Sequence, residues 1–547
     1  MLQVGIGIAL LRVLTAWSVA PWDHPDEWFQ SAEIASLLAF GRASHVQEIS
    51  LHLRNLAFPE IFGLLLRVAD LVAPGSAVMR VWVIQAFMGL LSLSVLWLFV
   101  EACDRWKIAR SRWAVAAVGL FPFWIAGSVV PSSENLSTYV FALVAALALR
   151  GSSRSWVWAG FFSVGVIAAR APSGLLIVGF VLALLSQLRR KRTNPKVTPL
   201  ASWPLAGWSD LRRYSVGFLI GVVLWGLPDA IHYGRPWESL LLYFDFNFLS
   251  GVSERLYGSQ AESVYLGLFR AHFMHPVFGP IGLVIAAAGV KRWISLVRRR
   301  DPIAWAGLVY LMGHLLSAHK EPRFMVPLEM ILVVFGVAEI TRLARNPSTR
   351  VFALEWNRRR WGKAVVALAL LVMTAVGAQR VIKPLGQAER VYLAGETLVQ
   401  KIAPCAVLSR RKLSSTLLFA DPRARPPAIP TAFWPGREDP VIWLDAKADC
   451  PDDGRVLIQS DRDHTEWLSA ECTHEAVGIE RFARSRSTWY ACPARILKRL
   501  PRQEVRHLLV DRFLKWPSLP RFRGASADQL REWTNRYGAD EGTLGDY

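Results

Sequence analysis

The chain has 547 residues, of which 53% are hydrophobic and 19% charged, and its formal net charge is +20. So apolar a composition excludes an ordinary soluble protein of this length. The basic excess would fit a nucleic-acid binder, but it collects between long apolar runs, so no nucleic-acid partner is expected.

Several runs approach the roughly 20 apolar residues a membrane helix needs, including Met1–Ala20, Val78–Val100, Trp113–Val130 and Phe324–Ile340. Trp17, Trp22, Trp106 and Trp156 stand where such runs end, as in the aromatic belt of a membrane interface. The first run is too long for a signal peptide and lacks its basic start and small-residue cleavage site, so it is expected to remain as the first membrane helix.

Five basic clusters set the orientation: Arg105–Arg112, Arg150–Arg154, Arg189–Arg192, Lys291–Arg300 and Arg342–Lys363. If all five are cytoplasmic, the helices must alternate between them. The first span, about 4–20, runs outward into a long outer loop carrying short amphipathic helices. Spans at about 77–100, 112–130, 133–149, 156–169 and 173–188 follow, the last two joined by a short outer turn. A polar cytoplasmic link broken at Thr193-Asn194-Pro195 leads to a span at about 215–229 and a second long outer loop, about 230–273. Spans at about 276–290, 303–317, 325–340 and 363–380 complete about 11 helices and leave everything later outside.

The tail alternates strand-like runs (Val441–Leu444, Arg455–Ile458, Thr488–Tyr490) with polar turns and reads as a small α/β domain. Cys405, Cys450, Cys472 and Cys492 all fall in this tail, whereas Cys103 sits at a predicted cytoplasmic end. Four cysteines in an oxidising compartment point to two disulfides, with three connectivities open. The expected domains are 1–385 in the membrane and 386–547 as a non-cytoplasmic domain. The basic, Pro-punctuated C-terminal stretch carries no catalytic motif.

Polar clusters at helix ends all fall on the predicted outer side. They are His24-Pro25-Asp26-Glu27, Pro131–Glu134, Arg170–Ser173, Pro228–Arg235 and His319–Arg323. Ionisable residues at membrane depth are functional candidates. Pro25 and the two acids also make a good helix start, because Pro suits the first turn and carboxylates favour the positive end of the dipole. Asp26, Gln30 and Glu33 share one helical face, so both a capping and a catalytic reading stand. In His319–Phe324, Lys320 and Arg323 open an outer-to-inner helix, where cations oppose the macrodipole. A phosphate there would relieve the conflict, and Glu321 would relieve part of it. Arg170 adds positive charge to the same surface, or reaches toward lipid headgroups.

The stretch HPDEWFQ (residues 24–30) resembles the first-loop motif of the GPI-anchor and N-glycan mannosyltransferase family, membrane enzymes of the GT-C fold. Arg12 sits where that family has an Arg in its first helix, and Leu53-Arg54-Asn55 with Phe58-Pro59 matches the end of its first loop. Asp229, Tyr233-Gly234, Phe246-Asn247-Phe248 and Tyr257-Gly258 resemble a later family pattern, and His319-Lys320-Glu321-Pro322-Arg323-Phe324 reproduces its His-Lys-Glu-x-Arg-Phe motif whole. Ser128–Glu134 keeps the family's Pro and Glu but lacks its Arg, and the Cys-bearing tail lies outside the recognised pattern, so the acceptor stays open.

The resemblance implies an all-α polytopic membrane transferase that moves mannose from a polyprenyl (dolichyl-type) phosphate donor to a hydroxyl of a glycan or glycolipid acceptor. Transfer would occur on the non-cytoplasmic face, with inversion and no cofactor. Asp26 would be the base and Glu27 would orient it or the acceptor. Lys320 and Arg323 would hold the leaving phosphate, backed by His319, Arg54 and Arg170, with His24, Gln30, Asp229 and Tyr233 as further substrate-binding positions. No metal role is assigned. The same fold serving an arabinose- or glucose-type donor is the alternative, and either a bacterial inner membrane or the ER membrane is compatible. A transporter or flippase would call for internal repeats and mid-helix charges, and no repeat is seen.

Overall fold

Every span predicted from hydropathy contains a helix. The computed structural model describes residues 2–18, 31–40, 52–74, 77–108, 111–193, 207–249, 260–317, 319–344, 367–378, 406–409, 431–433, 455–460, 472–479 and 486–493. In chain order the helices are α1 (Leu2–Ser18), α2 (Glu33–Phe40), α3 (Ala57–Val72), α4 (Ala77–Leu91), α5 (Leu93–Arg105), α6 (Arg112–Gly119), α7 (Pro122–Gly127), α8 (Ser133–Arg150) and α9 (Ser153–Ala169). They continue with α10 (Gly174–Thr193), α11 (Trp208–Tyr233), α12 (Glu238–Phe244), α13 (Tyr265–Phe273), α14 (Gly279–Arg298), α15 (Pro302–Leu316) and α16 (Val326–Leu343). A last apolar helix, α17, covers Ala367–Ala378. Among the described residues five stretches are long and apolar enough to cross a membrane: Met79–Arg105, Ala171–Arg189, Trp208–Tyr233, Gly279–Arg298 and Pro322–Leu343. Three shorter apolar helices, Leu2–Trp17, Pro302–Leu316 and Ala367–Ala378, accompany them.

Two predicted spans differ in detail, each for a backbone reason. The span expected to run unbroken from about 112 to 130 divides into α6 and α7, because Pro122 has no N–H to donate and disfavours helical geometry in the residue before it. Phe121 accordingly has φ −54° and ψ 127°. The C=O of Gly119, at the end of α6, instead accepts a 2.6 Å hydrogen bond from Arg12 Nη2 of α1. The span expected at about 215–229 is longer: α11 carries Pro228 inside it and ends only where Gly234 takes φ 84°, the left-handed conformation that terminates helices.

The chain forms two compact units. One comprises Met1–Trp17, Gln85–Trp237 and Ser253–Val381 and holds most of the apolar helices. Within it α9 packs on α11, α8 on α9 and α5, α10 on α15, and α14 on α16. The α9–α11 contact needs small residues. A Cβ on Gly160 would collide with the Tyr214 carbonyl, and one on Gly217 with the Val157 carbonyl. Tyr214 then donates its hydroxyl to Ser163 Oγ at 2.7 Å across the same contact.

The second unit comprises Ser18–Ile84, Glu238–Val252 and Ile382–Tyr547. Helices α2 and α3 pack together here. Buried Arg80 donates to Asp70 Oδ1 at 2.6 Å and lies over the Phe40 ring, which ties the start of α4 to both. His52 Nδ1 and Glu238 Oε1 meet at 3.0 Å, joining the segment before α3 to α12.

The tail contributes a mixed sheet of β1 (Ala406–Ser409), β2 (Thr431–Phe433), β3 (Arg455–Ser460), β4 (Thr473–Ile479) and β5 (Arg486–Pro493), in the order β2-β1-β3-β5-β4. β1 pairs in parallel with β2 and β3, and β5 runs antiparallel to β3 and β4. The predicted runs Arg455–Ile458 and Thr488–Tyr490 lie in β3 and β5, while Val441–Leu444 is outside the described residues. The register Thr473↔Ala491 places Cys472 opposite Cys492, and the two form a disulfide. Cys405 and Cys450 lie outside the described residues, and Cys103 is buried in α5.

Candidate active site

The stretch Pro131-Ser132-Ser133-Glu134-Asn135 starts α8 by ordinary capping chemistry. Ser132 is extended and its hydroxyl accepts the Asn135 N–H at 3.2 Å. Asn135 Nδ2 donates to the carbonyls of Gly127 and Val130, fixing the approach to the helix. Glu134 therefore enters the first turn, where the helix dipole favours a carboxylate. It is only 3% exposed. A carboxylate so buried requires cations or donors. Two guanidiniums supply them: Arg170 Nε lies 3.3 Å and Arg323 Nε 3.7 Å from Glu134 Oε1.

Arg170 ends α9 with an extended backbone, and the turn Ala171–Ser173 follows directly. Its Nη1 donates to the Tyr310 hydroxyl and to His314 Nε2, each at 3.3 Å. His314 Nδ1 sits 3.0 Å from the Tyr310 carbonyl, so a proton on Nδ1 leaves Nε2 to accept from Arg170. Tyr310 donates its hydroxyl to the Phe324 carbonyl at 2.6 Å, and the Phe324 ring stacks 4.2 Å from the Arg170 guanidinium carbon. Arg170 is 5% exposed. The expectation of an Arg170 charge displayed on the outer surface, or reaching for lipid headgroups, is therefore corrected: the residue is an interior cation held on several sides. The reason is Glu134, which makes burial of the guanidinium tolerable.

The loop after α15 carries the His-Lys-Glu-Pro-Arg-Phe motif. Pro322–Met325 forms one 3-10 turn, and the α-helix proper begins at Val326. Glu321 bridges its neighbours, with Oε1 2.9 Å from His319 Nε2 and Oε2 accepting from Arg323 Nε. Burial alone would raise the Glu321 pKa. The His319 hydrogen bond and the charge and hydrogen bond of Arg323 outweigh it and pull the pKa down to about 2. Lys320 is buried beside this bridge. Its ammonium donates to the Ser317 carbonyl at 2.6 Å and lies 3.8 Å from Glu262 Oε1, and its backbone N–H donates to Gln260 Oε1. The motif thus carries its own carboxylate against the helix-dipole conflict, and Glu134 adds a second.

Arg170, His319 and Arg323 are thereby joined through Glu134 and Glu321, and Lys320 lies on the same loop. Asp229 and Tyr233 stand one turn apart near the end of α11, Asp229 fully buried, and do not take part in the bonds just described. Arg54 is partly exposed in the second unit, between His52 and α3. His24, Asp26, Glu27 and Gln30 lie outside the described residues. Sequence reasoning noted Glu134 among the outer clusters without giving it a role, and it missed Tyr310, His314 and Phe324 as partners of Arg170. The available signal was an acid inside a Ser-capped first turn, together with a Tyr and a His spaced i, i+4 on the otherwise apolar α15.

Residues 5–428 match the Alg9-like mannosyltransferase family. The chain belongs to that family. It is 24% identical over 352 residues to GPI alpha-1,2-mannosyltransferase 3 of Danio rerio, covering 62% of this chain and 60% of that protein. It is 25% identical over 336 residues to GPI mannosyltransferase 3 of Candida albicans, covering 60% of this chain and 62% of that protein. The match thus spans about three fifths of each relative's length. Its fold is similar to that of ArnT from Cupriavidus metallidurans, solved bound to undecaprenyl phosphate, with TM-score 0.56, 14% identity and coverage of 90% of this chain and 97% of that one. The apo state of the same protein gives TM-score 0.53 at 15% identity, with 90% and 98% covered. The chain is an integral, predominantly α-helical membrane protein of the GT-C type.

Proposed function

We propose that this protein transfers a mannosyl residue from a polyprenyl-phosphate donor to a hydroxyl of a glycan or glycolipid, on the non-cytoplasmic face and with inversion. The observation that carries the reading is the convergence of Arg170 and Arg323 on buried Glu134, beside the His319–Lys320 loop. Glu134 and Glu321 grip Arg323 from its Nε side. A guanidinium held by that edge has its orientation set for fork-like recognition of phosphate oxygens. The similarity in fold to a protein solved with undecaprenyl phosphate supports a lipid phosphate as the anion.

The reaction balances as a single displacement. The acceptor oxygen attacks the anomeric carbon, the bond from that carbon to the phosphate oxygen breaks, and the phosphate leaves with the electron pair. Asp26 takes the acceptor proton, and Glu27 orients Asp26. Arg323 and Lys320 stabilise charge developing on the departing phosphate, and His319 and Arg54 are further candidates for that role. Arg170 acts as a positioning residue that fixes Glu134 and the Phe324 ring. His24, Gln30, Asp229 and Tyr233 are assigned to sugar and acceptor contacts. The Cys472–Cys492 disulfide supports a non-cytoplasmic tail of residues 386–547, since such bonds persist in oxidising compartments.

The test is transfer from labelled polyprenyl-phosphate mannose in membranes, comparing wild type with Asp26→Asn at equal expression. Near-complete loss of product is expected. Wild-type turnover in the variant would return Asp26 to a capping role, and equal use of an arabinosyl or glucosyl donor would overturn the assignment to mannose.

A further inference from the structure

Arg12 lies inside the apolar bundle at 3% exposure. Its Nη2 donates to the Gly119 carbonyl, which accounts for one edge of the guanidinium. Among the described residues its Nε and Nη1 have no hydrogen-bond partner, and no carboxylate forms an ion pair with it. The indole N–H of Trp124, on α7 and 2% exposed, likewise has no partner among the described residues.

Arg12 and Trp124 line the same small cavity, together with Ser92 and apolar Ile8, Leu96 and Val118. The cavity is small, with room for a single small species. Ser92 spends its hydroxyl proton on the Gly89 carbonyl at 2.6 Å. The polar groups still to be satisfied are thus N–H donors beside a full positive charge. A water molecule could accept from them but would leave the charge uncompensated in an apolar interior, where an unpaired ion is strongly disfavoured. A small monovalent anion satisfies both the donors and the charge.

We infer that the cavity between α1, α5, α6 and α7 binds one halide-sized monovalent anion through Arg12 and the Trp124 indole N–H. The anion lets α1 keep a cation at the break between α6 and α7, where Arg12 caps Gly119. The proposal is independent of the transfer reaction, because none of these residues belongs to the Glu134 cluster.

The test uses the full chain in nanodiscs, exchanged into sodium gluconate and titrated with NaCl or NaBr at constant ionic strength while Tm is followed. Chloride and bromide are expected to raise Tm by several degrees in a saturable manner. Arg12→Met is expected to abolish the response. Trp124→Phe keeps the ring and removes only the N–H, and is expected to weaken half-saturation by roughly tenfold. If Arg12→Met does not fold, Trp124→Phe carries the comparison. Crystals grown in NaBr are expected to show an anomalous bromide peak within hydrogen-bond distance of Arg12 Nε and Trp124 Nε1. A Tm independent of halide, a halide response unchanged in folded Arg12→Met or in Trp124→Phe, or an ordered water without anomalous signal at that position would each overturn the proposal.

Discussion

Glu134 Oε1 stands 3.3 Å from Arg170 Nε, and both side chains are almost wholly buried. They reach this position from the first turn of α8 and the last residue of α9, so a helical hairpin closes on its own ion pair. Arg323 meets the same carboxylate oxygen at 3.7 Å. One acid thus links the hairpin to the loop that carries the His319–Phe324 motif.

Glu134→Gln keeps the shape of the side chain and removes the charge. Breaking a buried pair by neutralising one partner costs about 3–5 kcal/mol, because the remaining guanidinium is left without a counterion. A clear drop in Tm in detergent or nanodiscs is expected, with loss of most transfer activity. A variant with wild-type Tm would mean that water or lipid solvates Arg170 instead.

Arg170→Lys retains the charge but cannot reproduce the contacts. An ammonium cannot present its face to the Phe324 ring while donating in the fork to Tyr310 and His314. As a positioning residue, Arg170 should affect kcat more than donor KM. The expected result is a fall in kcat of roughly tenfold or more with donor KM within a factor of about three, since misplacement of supporting groups acts on reacting geometry. A change confined to KM would make Arg170 a direct donor contact.

Glu321 has a folded pKa near 2, below its ordinary value of 4.5. A depressed carboxylate pKa contributes stability that is fully present above the unfolded value and is lost as pH falls through the folded one. The Glu321 link should therefore be intact across the neutral range and weaken only below about pH 4.5. Thermal unfolding of wild type and Glu321→Gln should differ by a constant amount between about pH 5 and 8, and the two should converge on further acidification. A difference that varies within the neutral range would place the titration on another group.

Gly217→Val tests the close α9–α11 contact without touching the site. Any Cβ there meets the Val157 backbone carbonyl, which cannot rotate away. Overpacking of this kind costs about 1–3 kcal/mol, so a lowered Tm is expected, with residual activity in the fraction that stays folded. Unchanged Tm would show that the two helices separate without penalty.

Much of the architecture was legible because its signals are local. Hydropathy over one helix length marks a span whatever its neighbours do, so each expected span holds a helix. Pro122 was visible in the third span, yet an apolar run reads the same whether or not its backbone breaks. The break survives because Arg12, far away in the chain, supplies the donor that Gly119 needs. In the tail, the Cys count announced disulfides, but only the register of β4 against β5 selected Cys472 with Cys492.

The sequence by itself determined that this is a polytopic helical membrane protein, and the His319–Phe324 motif announced its family. Periodicity, length and residue order are properties of the chain alone. Only the tertiary structure decided that Arg170 is an interior cation and that Glu134 joins it to Arg323. Desolvation and charge pairing depend on what surrounds a side chain after folding, and for Glu134 those surroundings arrive from α9 and from the loop that precedes α16.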